Sequence, residues 1–237
     1  MKKLIVNADD FGLDVKINQG IIQTHKNGIV TSASLLVTGN AFNIAVTLSK
    51  GHPGLAIGIH FDLDKFFVKN PAKESIRGFI VPKPSVDEIT CELKRQLDMI
   101  KSAGLEITHI SSRDNTHLEK EIIPIVCAVA KEYNIRAIRF SRKFFQTDNE
   151  YSYIKNIIDY YNLIYASHFI AGWYWGNIDE EFTVAELRTN PGYGELWREY
   201  ELATCIDPRL KEYLLKINVQ LITFKDLVSS KETSPQS

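Results

Sequence analysis

Cysteine is scarce. The 237-residue chain has three, Cys91, Cys127 and Cys205, far apart and odd in number. They form neither a disulfide framework nor a metal-type spacing, so reduced thiols and a cytoplasmic location are expected. No stretch approaches the roughly 18 apolar residues of a membrane span. After Lys2 and Lys3 the only apolar run is Leu4–Val6, which is too short for a secretion signal. Neither charge sign dominates: 28 Lys+Arg against 29 Asp+Glu leave −1. No nucleic-acid or membrane partner is therefore expected. What is present is ordinary for a globular chain, with 44% hydrophobic and 24% charged residues. A chain this long buries about 70–75% of its unfolded surface and needs no staple to hold a core.

Short β-branched runs alternate with helical patterns. Strands are expected at Leu4–Ala8, Ser32–Val37, Leu55–Phe61, Ile107–Ile110, Arg136–Phe140, Leu163–Ala166 and Val219–Phe224. Helices are expected at Ile17–His25, Ala41–Ser49, Val86–Ala103 (capped by Ser85), Glu119–Tyr133, Tyr151–Tyr161 and Pro208–Leu215. Residues 62–85 read as a long irregular connection, of the kind that forms a lid or binding loop. The alternation indicates parallel βαβ units in an α/β protein. A single-domain distorted (β/α) barrel over 1–228 is favoured over an open sheet, because no Gly-rich fingerprint follows the first strand. The polar residues 229–237 are expected to be a disordered tail.

In such a fold the C-terminal ends of strands surround the site. Strand one ends in Asp9 and Asp10, strand three in His60, and strand four runs into Ser111–His117. Strand five carries Arg139, and strand six is read as ending in Ser167-His168. Carboxylates and imidazoles that converge from distant segments can hold a metal ion and leave a spare carboxylate as base. Each also has a plainer reading: the Asp pair as helix caps, His60 as a core histidine, His117 as a structural group.

The hexapeptide Asn7-Ala8-Asp9-Asp10-Phe11-Gly12, then Gly58-Ile59-His60-Phe61 and Thr108-His109, resemble the YdjC-like carbohydrate deacetylases. Ala185-Glu186-Leu187, Asn190-Pro191-Gly192 and Leu221–Leu227 extend the resemblance over nearly the whole chain. It implies a deacetylase-type barrel that removes an acetyl group from an N-acetylated amino sugar or oligosaccharide with a divalent metal, zinc or magnesium. It further implies Asp9 as general base, Asp10 and His60 as metal ligands, and Arg139 as the cation that orients the base.

Three positions depart from that family pattern. Arg113 stands where the third ligand, a histidine, is usual; Asn190 replaces the proton-donating histidine; and Ser167 replaces an Asp. A guanidinium has no lone pair for a metal, and an amide cannot protonate a leaving amine. Asp114 and His117 are the candidate substitute ligands. Alternatively, Arg113 itself fills the cation seat beside Asp10. Two roles therefore stand open: a metal-dependent hydrolase, and a catalytically impaired or non-catalytic glycan-binding relative. Trp173-Tyr174-Trp175 and Phe66-Phe67 are candidate stacking platforms for a pyranose, with Phe144-Phe145 beside them, and His168 and Asn190 are candidate polar contacts. A homodimer is left open.

Overall fold

β1 (Lys2–Phe11) is the centre of the molecule. In the computed structural model, residues 71, 72, 81, 172–177, 179 and 233–237 are not described, and 68–70, 73–78 and 232 are described by their backbone alone. β1 pairs in parallel with β2 (Ser32–Leu35), β8 (Val184–Thr189) and β9 (Val219–Ile222). The sheet runs in the order β6–β3–β2–β1–β8–β7, with β3 at Ala56–Phe61, β6 at Ile110–Ser112 and β7 at His168–Ala171. Single parallel bridges, Ile110 to Ile138 and Ala137 to Ile164, carry it onward from β6. Ile164 lies four residues before β7, so the sheet curls round as the expected distorted (β/α) barrel. Helices α1 (Val15–Asn27), α2 (Phe42–Gly51), α3 (Val86–Ser102), α4 (Ile123–Glu132), α5 (Asp148–Tyr160), α6 (Leu196–Ile206), α7 (Pro208–Lys216) and α8 (Phe224–Glu232) complete it. None of the described helices is long and apolar enough to cross a membrane.

Strand alternation sorts the core into two parts. Leu4, Val6 and Ala8 join Ala33, Leu35, Ile57, Ile59, Ile110, Ile138 and Leu187 in the main apolar cluster that the helices cover. The opposite face of β1 begins with Ile5, which packs with Ala137, Ile222, Phe224 and Leu227 as an apolar floor. Above that floor the inward residues turn polar: Asn7 and Asp9 on β1, Ser34 on β2, His60 on β3, Ser111 on β6, Arg139, and Glu186 on β8, all buried.

Several boundaries differ from the sequence reading. Residues 62–85 are not irregular throughout: a 3-10 turn (Asp64–Phe66) leads into an antiparallel hairpin, β4 (Phe67–Asn70) with β5 (Lys73–Phe79). Phe67 and Phe79 stack across it at 4.7 Å. The fourth strand lies later than expected, at Ile110–Ser112, because Ser111 points into the polar interior and Ser112 is buried against His117, where an apolar-run criterion cannot find them. The next helix starts at Ile123, with Pro124 in its first turn, after a 3-10 segment over Arg113–Leu118. Residues 136–140 contribute only bridges. β8 and α6 were not anticipated. α8 continues to Glu232, four residues into the expected tail.

Candidate functional site

A cleft of about 160 Å³ opens at the strand ends, lined by Asp9, Asp10, His60, Ser112, Arg113, Asp114, Asn115, Arg139, Arg188 and Asn190. At its base Arg139 donates through Nη1 and Nη2 to Oδ2 and Oδ1 of Asp9, each at 2.7 Å, and through Nε to Glu186 Oε1 at 2.7 Å. The guanidinium also lies over the Phe169 ring, 5.7 Å from its centroid. Asn7 Nδ2 donates to Asp9 Oδ1 and to Ser34 Oγ, both at 2.8 Å. Ser111 Oγ joins Ser34 at 2.8 Å and meets His60 Nδ1 at 2.9 Å. Such a connected buried network fixes each member's orientation. Burial alone would raise the Asp9 carboxyl, but Arg139 chiefly, with His60 and Arg188, outweighs it and holds Asp9 well below the usual carboxylate range. Burial pushes the Glu186 carboxyl up against the pull of Arg139.

Asp10 follows with φ of +67°, a left-handed conformation uncommon for a residue other than glycine and frequent at functional sites. The turn beyond it needs Gly12, whose φ is +98° and where a Cβ would stand 2.7 Å from the Leu36 carbonyl oxygen. Asp10 Oδ1 lies 3.8 Å from His60 Nε2. Its other oxygen accepts from Arg198 Nη2 at 2.7 Å, a contact made by α6 across 188 positions of sequence. Burial lowers the His60 imidazole, opposed by Asp9 and Asp10. A neutral ring that donates Nδ1–H to Ser111 turns its Nε2 lone pair toward Asp10.

The structure brings Asp9, Asp10, His60, Arg113, Asp114, Arg139 and Asn190 to one cleft. Arg113 does not fill the cation seat: its side chain is 37% exposed and its Nη1 pairs with Asp64 Oδ2 at 3.1 Å. His117 is no substitute ligand. It is fully buried, with Nδ1 accepting from Ser112 Oγ at 2.7 Å and Nε2 donating to the Arg139 carbonyl at 2.9 Å. Burial depresses it to about 3. His168 opens β7 instead of ending a strand; the inward position there is Phe169, and His168 pairs with Glu180 at 2.6 Å against the Phe182 ring. Phe66 is buried in the main core and Phe67 stacks on Phe79, so neither presents a free ring to the cleft. Trp173, Tyr174 and Trp175 lie outside the described residues.

A divalent metal would need more donors than these residues offer. Asp10 and His60 are two where catalytic zinc has three; Asp114 lines the same cleft but does not complete a group of three with them, and one Asp10 oxygen already carries Arg198. Among the described residues no group of three or more His, Cys, Asp or Glu side chains could hold an ion. The donor set does not fit a divalent centre.

The sequence profile described as YdjC-like protein matches residues 3–216. The chain belongs to the YdjC-like family. A carbohydrate deacetylase of Brevibacillus brevis is 32% identical over an alignment of 252 residues that covers 95% of this chain and 99% of that protein. A chitooligosaccharide deacetylase of Escherichia fergusonii is 39% identical over 158 residues, 62% of each chain. The crystal structure of a putative cellobiose-phosphate cleavage protein from Enterococcus faecalis superimposes with a TM-score of 0.77 at 24% identity, covering 95% of this chain and 98% of that one, which shows a shared fold.

Glu186, Arg188 and Arg198 were not singled out as site residues by sequence. The first two sit in Val-Ala-Glu-Leu-Arg-Thr, which alternates with period two, the strand signal, with charge on the inward face. Register with β1 sets Glu186 beside Ile5 and Arg188 beside Asn7. No sequence pattern marks Arg198.

Proposed function

We propose that this YdjC-like chain is a carbohydrate deacetylase-type protein whose ligand is an N-acetylated amino sugar or a short oligosaccharide, seated over Asp9, Asp10 and His60. The observation that carries it is the ionised Asp9, clamped by Arg139 beside Asp10 and His60, in a chain that aligns with a carbohydrate deacetylase over nearly its whole length. A second cleft, of about 650 Å³, shares Asp114 and Asn115 with the first and is lined by Phe144, Phe145 and Tyr153 among polar neighbours. It has the aromatic and polar character that further sugar units require.

Amide hydrolysis needs a proton acceptor for water, positive charge at the developing oxyanion, and a proton for the leaving amine. Asp9 is the acceptor, weakened by the two hydrogen bonds that Arg139 already donates to it. Arg188 lines the cleft and its buried Nε has no hydrogen-bond partner among the described residues, so it offers charge beside the acyl oxygen. Asn190 takes a hydrogen bond from the sugar but gives no proton. Zinc or magnesium, which the family likeness carries with it, would meet only Asp10 and His60. A non-hydrolytic glycan-binding role is favoured by two particulars: Arg198 on Asp10 and the amide at position 190.

Incubation with N-acetylated chitooligosaccharides, read by calorimetry for binding and by acetate release for turnover, separates the two. Acetate release that disappears in Asp9→Asn establishes the hydrolase. Saturable binding without acetate establishes the glycan binder. Neither binding nor release overturns the proposed ligand class.

A further inference from the structure

The two oxygens of Asp10 have different neighbours. Oδ1 faces His60 Nε2 at 3.8 Å, while Oδ2 accepts from Arg198 Nη2 at 2.7 Å. The ion pair is sheltered, with the Arg198 side chain 7% exposed and that of Asp10 15%. Arg198 is also tied at its other nitrogens. Nε donates to Glu195 Oε2 at 2.8 Å and Nη1 to the Asn190 carbonyl at 3.4 Å, while the guanidinium carbon lies 4.3 Å from the Trp197 ring centroid. The arm is therefore organised by its own helix before it meets β1.

We propose that Arg198 is the resident cation of this site: its guanidinium neutralises the Asp10 carboxylate that a divalent ion would engage, so the intact chain takes up no such ion at Asp10 and His60. Three physical points carry it. An ion that engages both Asp10 oxygens must displace Nη2 and leave a buried guanidinium without that carboxylate, the costly way to break a buried pair, and one seated on Oδ1 beside His60 would set its double charge next to the guanidinium already held on Oδ2. The carboxylate is already compensated, so the ion's attraction to it is largely spent. Arg113 and Arg188 line the same cleft and add like charge. The missing third ligand weakens a metal centre, and the guanidinium on Asp10 replaces what such a centre would do for that carboxylate's charge. The inference concerns cation uptake alone and stands whether or not the ligand is a sugar.

The test titrates the metal-free full chain with Co²⁺, read by visible ligand-field absorption, and with Zn²⁺, read by calorimetry. Wild type is compared with Arg198→Ala, Arg198→Gln, His60→Ala and the Arg198→Ala/His60→Ala double variant. The expected result is no one-equivalent site in wild type and, in both Arg198 variants, a new site at least about tenfold tighter than any wild-type uptake, on the scale of outer-shell changes to metal sites. The double variant should lose it. Arg198→Gln keeps a hydrogen-bond donor without the charge, so it carries the test if the alanine variant does not fold. A wild-type one-equivalent Co²⁺ spectrum that vanishes in His60→Ala overturns the proposal. So does the absence of any gain in a folded Arg198 variant.

Discussion

Arg139 meets Asp9 side-on, two nitrogens to two oxygens at 2.7 Å each, and spends its remaining Nε on Glu186. One guanidinium thus serves two buried carboxylates. Removing it in Arg139→Met should cost about 3–5 kcal/mol of stability at neutral pH, the usual consequence of stranding buried charge. The sign with pH follows from Asp9. Its folded carboxyl lies below the unfolded value, so the stability it contributes is complete above the ordinary carboxylate pKa of about 3.9 and is lost as pH falls below that. Without Arg139, burial raises the carboxyl instead. The gap in urea midpoint between variant and wild type should therefore narrow from pH 7 toward pH 4, and a gap that widens contradicts this account.

His117 contributes with the same sign over a higher range of pH. Its folded value of about 3 lies below the unfolded value of 6.5. Its neutral-state stabilisation is full above pH 6.5 and falls away as pH drops toward 3, by up to roughly 1.4 kcal/mol per pH unit. Burial drives His60 and His109 in the same direction. NMR should find the His117 ring untitrated between pH 8 and pH 5; a ring that titrates near 6.5 would mean that it is not enclosed as described.

Asp9→Asn separates chemistry from recognition. The variant keeps Asp10, His60 and the outline of the side chain but turns one oxygen that accepts from Arg139 into a donor, so binding is compared on folded protein, and affinity for an acetylated sugar should change by no more than about the tenfold of one or two hydrogen bonds. Any acetate release should vanish. Persistent release would remove Asp9 from the reaction.

Tyr153 lines the larger cleft and is 43% exposed. Tyr153→Ala should leave the thermal midpoint nearly unchanged. It should weaken binding of tri- and tetrasaccharides by about two- to tenfold, the range of one aromatic contact, while sparing the monosaccharide. Equal weakening of every chain length would detach this cleft from the sugar's path.

The barrel is legible in sequence because its outward faces are apolar: Leu4, Val6, Ala8, Ile57 and Ile59 lie against helices, and continuous or alternating runs betray them. α3 is equally plain, with Ser85 and Glu88 forming a reciprocal capping box. Asp9, Asp10 and His60 follow from their places at strand ends. β8 escapes notice because its inward charges, Glu186 and Arg188, look like a solvated face until the barrel closes around them. Arg198 is invisible to any local rule, since the loop that brings α6 to β1 is a tertiary fact. The sequence pointed to Arg113 as the cation beside Asp10; the chain supplies that cation from elsewhere, and Arg113 turns to Asp64.

His109 lies flat on Phe224, ring centroids 3.9 Å apart, and a Cβ at Gly58 would come within 2.4 Å of the imidazole. Neither position can drift independently: any side chain larger than hydrogen at 58 demands a smaller one at 109, and the Phe224 floor must then settle into the gap. Engineers who wish to convert this protein have a freer hand at the rim, at 113 and 190. The barrel's throat accepts only compensated, paired exchanges.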